Sequence, residues 1–236
     1  MYRILEVNKD DKVLDATCGS GGFLVKAMAN MIFEAGGAQT NKAKKIKQSQ
    51  LYGIEFDREI YALACANMLI HKDGKTNLEQ LDARTEEAGK WIAKQGITKV
   101  LMNPPYEKKY GCMKIVENVL DNVPEHTMCA FIMPDKKLEK TSKGQIKRIL
   151  SHHRLKKVIK LPEDLFFNVA SRPLFSYSSR EFLKKERICL LATWNRTDWQ
   201  RSRTRDVMTS MENGLILRII GWISSRNSPA TRRANG

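Results

Sequence analysis

The chain has 236 residues, 42% of them hydrophobic, and a formal net charge of +15. This length and apolar content suffice for one packed domain, and the sequence contains no apolar run long enough for a membrane span. Residues 1–11 lack the apolar core of a signal peptide, so we expect a cytoplasmic protein. The five cysteines form no CxxC pair and the four histidines show no ligand spacing, which predicts reduced thiols and no metal site.

The positive charge is unevenly distributed, and it indicates either a solvated basic surface or a polyanionic partner. Residues 171–236 carry 13 Lys and Arg against 5 Asp and Glu, with 11 Arg and 2 Lys, whereas residues 1–170 carry 23 Lys and 5 Arg. Only residues 188–194 and 214–223 of this tail have the pattern of a regular element. We therefore expect one domain over 1–170 and an irregular basic tail over 171–236. We prefer a change of reading frame near Val169–Ser171 to a flexible nucleic-acid arm as its origin.

Before residue 170, short apolar runs alternate with amphipathic stretches. The pattern predicts six strands, in KVLDAT, LYGIEF, NLEQLDA, KVLMNPPY, CAFIMPD and LKKVIKLPE, separated by helices. The first helix follows the first strand and ends at Gly36–Gly37, residues 38–50 form a polar connection, and Asp57 caps the next helix. This alternation predicts a Rossmann-like α/β fold, a mostly parallel sheet with helices on both faces.

The glycine-rich segment DATCGSGGF follows the first strand and opens a helix. It lacks the Walker spacing and does not match G-x-G-x-x-G, so a phosphate loop or a dinucleotide site is disfavoured. Acidic residues end the first three strands: Asp15, Glu55 and Asp82. Each alone is more often a helix cap or loop residue. Together they indicate an adenosine with a zwitterionic tail, with Glu55 accepting ribose hydroxyls and Asp82 accepting the adenine amine.

The fourth strand, Lys99–Met102, is stopped by two prolines in NPPY. Ligands of a parallel sheet bind at the carboxyl ends of strands where the strand order reverses. If the first and fourth strands flank that point, the glycine loop and NPPY face one crevice.

The segments VLDATCGSGGFL, YGIEFD, LDA and LMNPPY, in this order, resemble S-adenosylmethionine-dependent N6-adenine DNA methyltransferases. The resemblance is closest to the modification (M) subunit of type I restriction–modification systems and runs from about Val13 to Asn168. It implies the methyltransferase fold, S-adenosyl-L-methionine as cofactor, and double-stranded DNA, a specificity (S) subunit and a restriction (R) subunit as partners. The cofactor-binding residues that it implies are Asp15, Thr17, Cys18, Gly19, Ser20, Gly21, Gly22, Glu55 and Asp82.

The same resemblance makes NPPY the catalytic motif, with Asn103, Pro104, Pro105 and Tyr106. The Asn103 side-chain oxygen and the Pro104 carbonyl are suited to grip an exocyclic amine and turn its lone pair toward the methyl group. Tyr106 offers a face on which the target base can stack, and Phe166 or Phe167 is the candidate for a second aromatic wall.

The chain begins 12 residues before its first strand, whereas the family has a long helical region upstream of the glycine loop with a further cofactor-binding motif. We therefore expect that motif to be missing and an inactive fragment to be one outcome. Two other functions stay open: an NPPY methyltransferase acting on a protein glutamine or an RNA guanine, and a non-catalytic remnant that binds partners or cofactor.

Overall fold

The computed structural model describes residues 1–71, 77–105, 111–134, 143–160 and 189–196. Its strands are β1 (Val13–Asp15), β2 (Leu51–Glu55), β3 (Asn77–Gln80), β4 (Lys99–Met102), β5 (Met128–Pro134), β6 (His153–Lys160) and β7 (Cys189–Arg196). Its helices are α1 (Gly22–Glu34), α2 (Asn41–Ser49), α3 (Arg58–Ile70), α4 (Glu86–Gln95), α5 (Cys112–Asn122) and α6 (Lys143–His152). No helix within these ranges is long and apolar enough to cross a membrane.

The strands form one seven-stranded sheet in the order β3-β2-β1-β4-β5-β7-β6. Strands β1 to β5 pair in parallel, and β7 runs antiparallel to both β5 and β6. The chain adds β2 and β3 on one side of β1 and then β4 and β5 on the other. The order therefore reverses between β1 and β4, which confirms the predicted fold class and puts the switch point where the glycine loop and NPPY begin.

Two apolar layers cover the faces of the sheet. Because successive strand residues point to opposite faces, Val13 packs in one layer and Leu14 in the other, and both are fully buried. Helices α1, α2 and α3 contribute to the layer that contains Val13, and α4 and α5 contribute to the layer that contains Leu14. Burial on both faces makes these short strands read as continuous apolar runs, which is why the sequence predicts them.

The polar connection predicted for residues 38–50 contains a helix, α2, so that prediction is wrong. The Thr40 hydroxyl accepts the N–H of Ala43 at 3.0 Å and caps the helix. Only Ala43 and Ile46 are buried on it. A two-residue apolar face among lysines gives almost no periodic signal, although the Thr cap is visible in the sequence.

Strand β7 lies inside the segment 171–236 and overlaps residues 188–194, one of the two stretches of this tail with the pattern of a regular element. Its backbone pairs with β5 from Met128↔Asn195 to Pro134↔Cys189 and with β6 on its other edge. A strand here gives both neighbours backbone hydrogen-bond partners that they would otherwise lack. The compact unit that contains the sheet runs from Met1 to Thr197, beyond the expected boundary at 170. The change of reading frame stays a prediction that the nucleotide sequence tests.

Candidate active site

A cavity of about 340 Å³ opens at the carboxyl ends of β1, β2, β3 and β4. Each of these strand ends contributes a polar residue to its wall: Thr17 after β1, Glu55 at the end of β2, Asp82 after β3 and Asn103 after β4. Thr17 of the glycine-rich segment and Asn103 and Pro105 of NPPY therefore face one crevice, as predicted for these two segments. The cavity is large enough for a nucleoside-sized ligand.

The glycine loop turns tightly between β1 and α1. Gly19 and Gly21 have φ angles of 56° and 81°, in the left-handed region that glycine adopts without strain. The N–H of Cys18 donates to the Ile54 carbonyl at 3.0 Å, and the N–H of Gly21 donates to the Cys18 carbonyl at 2.8 Å. These bonds fix the loop against β2.

The outer side of the loop is open. A Cβ added at Gly19 or Gly22 would meet no atom within 4 Å, so the backbone there is accessible to a ligand. From α3, the Asn67 side-chain amide donates to the Ser20 carbonyl at 2.8 Å, and Met68 packs close to Gly21. The loop is therefore supported on the side of α3, whereas its backbone at Gly19 and Gly22 is open to a ligand.

Gly53 lets β2 pass close beneath the loop. A Cβ at this position would lie 2.4 Å from Leu78 Cδ2, closer than real Cβ atoms approach, and 3.1 Å from Cys18 Sγ, a tight contact. Cys18 itself is buried, and this burial raises the pKa of its thiol. Cys18 therefore acts as a packing residue of the loop and not as a reactive thiolate.

Asp15 is 1% exposed and does not line the cavity. Its carboxylate accepts the N–H of Thr17 at 3.1 Å. Burial, with a smaller contribution from the negative charge of Glu55, raises the pKa of Asp15 to about 7. The adjacent Thr17 side-chain oxygen is buried and has no hydrogen-bond partner among the described residues. Asp15 thus orders the loop without lining the cavity, whereas Thr17 lines it.

Glu55 joins the loop to the start of α3. One carboxylate oxygen accepts the N–H of Gly19 at 2.9 Å, and the other accepts the N–H of Asp57 at 2.9 Å. Asp57 in turn caps α3 by accepting the N–H groups of Glu59 and Ile60 at 2.9 and 3.0 Å, which confirms the predicted cap. Each Glu55 oxygen keeps a free acceptor position toward the cavity.

Asp82 is held by Arg84, a residue that sequence reasoning missed. The Arg84 Nε donates to Asp82 Oδ1 and Oδ2 at 2.8 and 3.0 Å, and Nη2 donates to Oδ2 at 2.6 Å. The backbone N–H of Arg84 also donates to Oδ1 at 2.9 Å. The guanidinium hydrogen bonds hold the pKa of the Asp82 carboxyl below its ordinary value. Arg84 also lines the cavity.

The NPP segment leaves β4 directly into the site. Met102 is fully buried, whereas Asn103 is exposed at the cavity and Pro105 is half-buried in its wall. Pro104 is buried and does not line the cavity. Tyr106, Phe166 and Phe167 lie outside the described residues. The structure thus brings Asn103 and Pro105 beside Glu55 and Asp82.

Apolar side chains that the sequence analysis did not single out complete the wall. Phe56 and Ile60 line it while remaining 59% and 42% exposed, and Leu81, directly after β3, and Ile115 of α5 also line it. Phe56 directly follows Glu55, so an aromatic residue at a strand end was the available signal. The cavity therefore combines carboxylate acceptors with flat apolar surface, as a nucleoside requires.

Comparison with known proteins identifies the family. The family model for N-6 DNA methylase matches residues 1–128, more than half of the chain. The chain belongs to the N-6 DNA methylase family. The match contains the glycine loop and three of the polar residues that line the cavity, Glu55, Asp82 and Asn103.

Two relatives of this chain belong to restriction enzymes. The type II restriction enzyme and methyltransferase RM.BcgI of Heyndrickxia coagulans is 33% identical over 183 residues, covering 73% of this chain and 28% of that protein. The type I restriction enzyme EcoEI methylase subunit of Escherichia coli is 22% identical over 185 residues, covering 70% and 37%. The chain thus spans about a third of the length of these relatives.

Solved structures share the fold of this chain. The M protein of the type I restriction enzyme EcoKI is 16% identical with a TM-score of 0.62, and the similarity covers 81% of this chain and 41% of that one. A chain of a type I R-M system is 15% identical with a TM-score of 0.59, covering 83% and 40%. The fold is that of S-adenosylmethionine-dependent methyltransferases.

S-adenosylmethionine is the cofactor that the family and the fold imply, and the cavity suits it. Glu55 and Asp82 can accept hydrogen bonds from hydroxyl and amine groups, Phe56 offers a flat apolar face, and the open backbone at Gly19 permits close approach. Among the residues that the structure describes, no group of three or more His, Cys, Asp or Glu side chains could hold a metal ion.

Proposed function

We propose that this chain transfers a methyl group from S-adenosylmethionine to N6 of adenine in double-stranded DNA, as the modification subunit of a type I restriction–modification system. The observation that carries the proposal is that Glu55, Asp82, Asn103 and Pro105 line a single cavity. A ligand held by the two carboxylates lies beside the amide that would hold the methyl acceptor. Methyl transfer needs this proximity of donor and acceptor.

The cofactor half of the site is assigned to the first three strand ends. The proposal gives Glu55 the ribose hydroxyls, Asp82 the exocyclic amine of the cofactor adenine, and the loop Thr17–Gly22 the methionine part. Asp15 orders this loop from below. When bound, the cofactor supplies an electrophilic methyl group on a positively charged sulfur.

The acceptor half is assigned to the NPPY segment. The lone pair of an adenine N6 is delocalised into its ring, which makes the amine a poor nucleophile. The Asn103 side-chain oxygen and the Pro104 carbonyl would accept its two N–H bonds, so that the lone pair turns toward the methyl group. Pro104 and Pro105 restrict the backbone and keep both acceptors in position.

An adenine inside a duplex cannot reach this cavity, so the proposal requires the base to be flipped out, at a cost of a few kcal/mol. Stacking on Tyr106, worth about 1–3 kcal/mol, would offset part of that cost, and Phe166 or Phe167 would supply the opposite wall.

The proposed partners follow from the relatives and the charge. One relative is the methylase subunit of a type I restriction enzyme, which favours a specificity subunit for target recognition and a restriction subunit for cleavage. The net charge of +15 favours a polyanion such as DNA. The proposed location is the cytoplasm, where DNA and S-adenosylmethionine are both present.

A methyl-transfer assay with an active-site variant tests the proposal. The purified chain, alone and with its specificity subunit, is incubated with methyl-labelled S-adenosylmethionine and unmethylated duplex DNA, and N6-methyladenine is measured by mass spectrometry. We expect Asn103→Ala to retain cofactor affinity within about twofold and to lose at least 100-fold in transfer, because it removes a transition-state acceptor. Asn41→Ala, at an exposed residue of α2, is the matched control and should transfer normally.

Other results would contradict the proposal in distinct ways. Label in a protein glutamine or an RNA guanine, and not in DNA, would assign the site to those acceptors. Cofactor binding by the wild type without transfer to any acceptor would favour a non-catalytic remnant. Equal loss of cofactor binding and transfer in Asn103→Ala would refute the separate role of Asn103.

A further inference from the structure

The Asp82–Arg84 pair is more constrained than an ordinary surface ion pair. Two nitrogens of the guanidinium and the backbone N–H of Arg84 donate to the same carboxylate, at 2.6 to 3.0 Å. The Asp82 and Arg84 side chains are only 22% and 31% exposed. Two-point pairing of this kind fixes orientation as well as charge, which a lysine cannot do.

The turn that carries the pair is fixed independently. The N–H and the hydroxyl of Thr85 both donate to the Asp82 carbonyl, at 2.9 and 2.8 Å. From α5, the Asn118 side-chain amide donates to the carbonyls of Ala83 and Thr85 at 2.8 and 2.9 Å, on either side of Arg84. The backbone of Arg84 is therefore clamped on both sides before any ligand binds.

Arg84 also lines the cavity that Asp82 and Asn103 share. A Cβ added at Gly111, the residue that precedes α5, would lie 3.8 Å from Arg84 Cδ. Arg84 thus packs near the end of the segment that begins at Asn103 while its guanidinium holds Asp82.

The hydrogen bonds determine what Asp82 can still accept. An ionised carboxylate offers about four acceptor positions. Arg84 brings three N–H groups to these positions: the backbone N–H donates to Oδ1, Nη2 donates to Oδ2, and Nε shares its single hydrogen between the two oxygens. Three donors therefore leave one acceptor position of the carboxylate, and an ionised carboxylate has no proton of its own to donate. A partner must therefore bring an N–H or O–H to it.

We propose that Arg84 is a specificity-determining positioning residue: it holds Asp82 with a single acceptor open to the cavity, so that the site takes a 6-aminopurine nucleoside and rejects its 6-oxo counterpart. The inference rests on the proposed function, since it takes the ligand to be the cofactor. The amino group donates to the open position, whereas a 6-oxo group puts two acceptors face to face. Sites built around such a hydrogen bond discriminate strongly against ligands that cannot make it.

Calorimetry with a matched pair of ligands tests this inference. The ligands are S-adenosylhomocysteine and S-inosylhomocysteine, which differ in the amino or oxo group at position 6 and in the hydrogen that the oxo form carries on N1. We expect the wild type to prefer the amino ligand by about 100-fold. Arg84→Lys keeps the positive charge but cannot donate the paired guanidinium hydrogen bonds to Asp82. Arg84→Met removes both the charge and these hydrogen bonds. Each substitution should lower the preference for the amino ligand at least fivefold.

Two further variants separate positioning from stability. Asn118→Ala releases the turn without removing a contact to Asp82, and it should also lower the preference. Arg148→Gln is the matched control, because Arg148 binds Glu117 and Asp121 in a similar ion-pair network that does not line the cavity. It should leave the preference unchanged even if it lowers the free energy of unfolding.

The possible outcomes are distinguishable. Wild-type protein that binds neither ligand refutes the proposed function. Wild-type protein that prefers the amino ligand, with the same preference in Arg84→Lys and Arg84→Met, overturns the role of Arg84 alone. A preference kept by Arg84→Lys and lost by Arg84→Met assigns the effect to charge and overturns positioning by the guanidinium.

Discussion

The buried carboxyl group of Asp15 predicts how the stability of the protein changes with pH. Asp15 is 1% exposed and its pKa is about 7, compared with an ordinary value of 3.8. The folded protein therefore holds this proton at pH values where the unfolded chain has lost it. Since the folded pKa is the higher one, stability is greatest at low pH and is lost as the pH rises from about 4 to about 7.

The size of the stability loss follows from the difference between the folded and unfolded pKa values of Asp15. Each unit of pKa difference corresponds to 1.36 kcal/mol, so the loss between pH 5 and pH 8 is about 3 kcal/mol. Asp15→Asn keeps an oxygen for the N–H of Thr17 but cannot ionise. We expect the free energy of unfolding of the variant, relative to wild type, to increase by about 3 kcal/mol from pH 5 to pH 8.

Urea unfolding followed by circular dichroism at pH 5, 6, 7 and 8 measures this difference. Comparing the change across pH cancels any constant cost of the substitution, including that of an unpaired amide N–H. Asp10→Asn is the control, because Asp10 is an exposed carboxyl with a lowered pKa, and its difference should stay nearly constant over this range. A difference for Asp15→Asn that does not change with pH, or that falls as the pH rises, would refute the buried, proton-holding carboxyl.

Two other substitutions test the supports of the loop. Glu55→Gln removes the charge that accepts the N–H groups of Gly19 and Asp57, so calorimetry should show S-adenosylhomocysteine binding weakened about tenfold; unchanged affinity would contradict this role. Gly53→Ala should lower the free energy of unfolding by about 1–3 kcal/mol, because its Cβ would lie 2.4 Å from Leu78. Gly144→Ala, where a Cβ meets open space, is the control, and a neutral Gly53→Ala would contradict the close packing.

The sequence predicts the sheet well because its parallel strands are buried on both faces. Runs such as VLD and LYGIE have no charged residue before their last position, and the acid that ends each marks the edge where ligands bind. The glycines that follow β1 and the prolines that follow β4 predict two loops at that edge. Adjacent strands β1 and β4 then bring both loops together, which makes the cavity predictable in outline.

Features that depend on tertiary contacts were not predictable in the same way. Helix α2 packs through only Ala43 and Ile46, too few residues for a periodic signal. The pairing of Arg84 with Asp82 joins two positions in a turn, where side chains follow no regular spacing. The raised pKa of Asp15 depends on burial beneath the loop, and sequence alone shows only that an acid ends the strand.

The central claim is that the glycine loop and Asn103 serve one reaction in one cavity. A crystal structure of the wild-type protein with S-adenosylhomocysteine tests it most directly. The account predicts ribose at Glu55, adenine at Asp82, and the sulfur over the glycine loop, pointing at Asn103. A ligand bound with its sulfur directed away from Asn103, or outside this cavity, would contradict it.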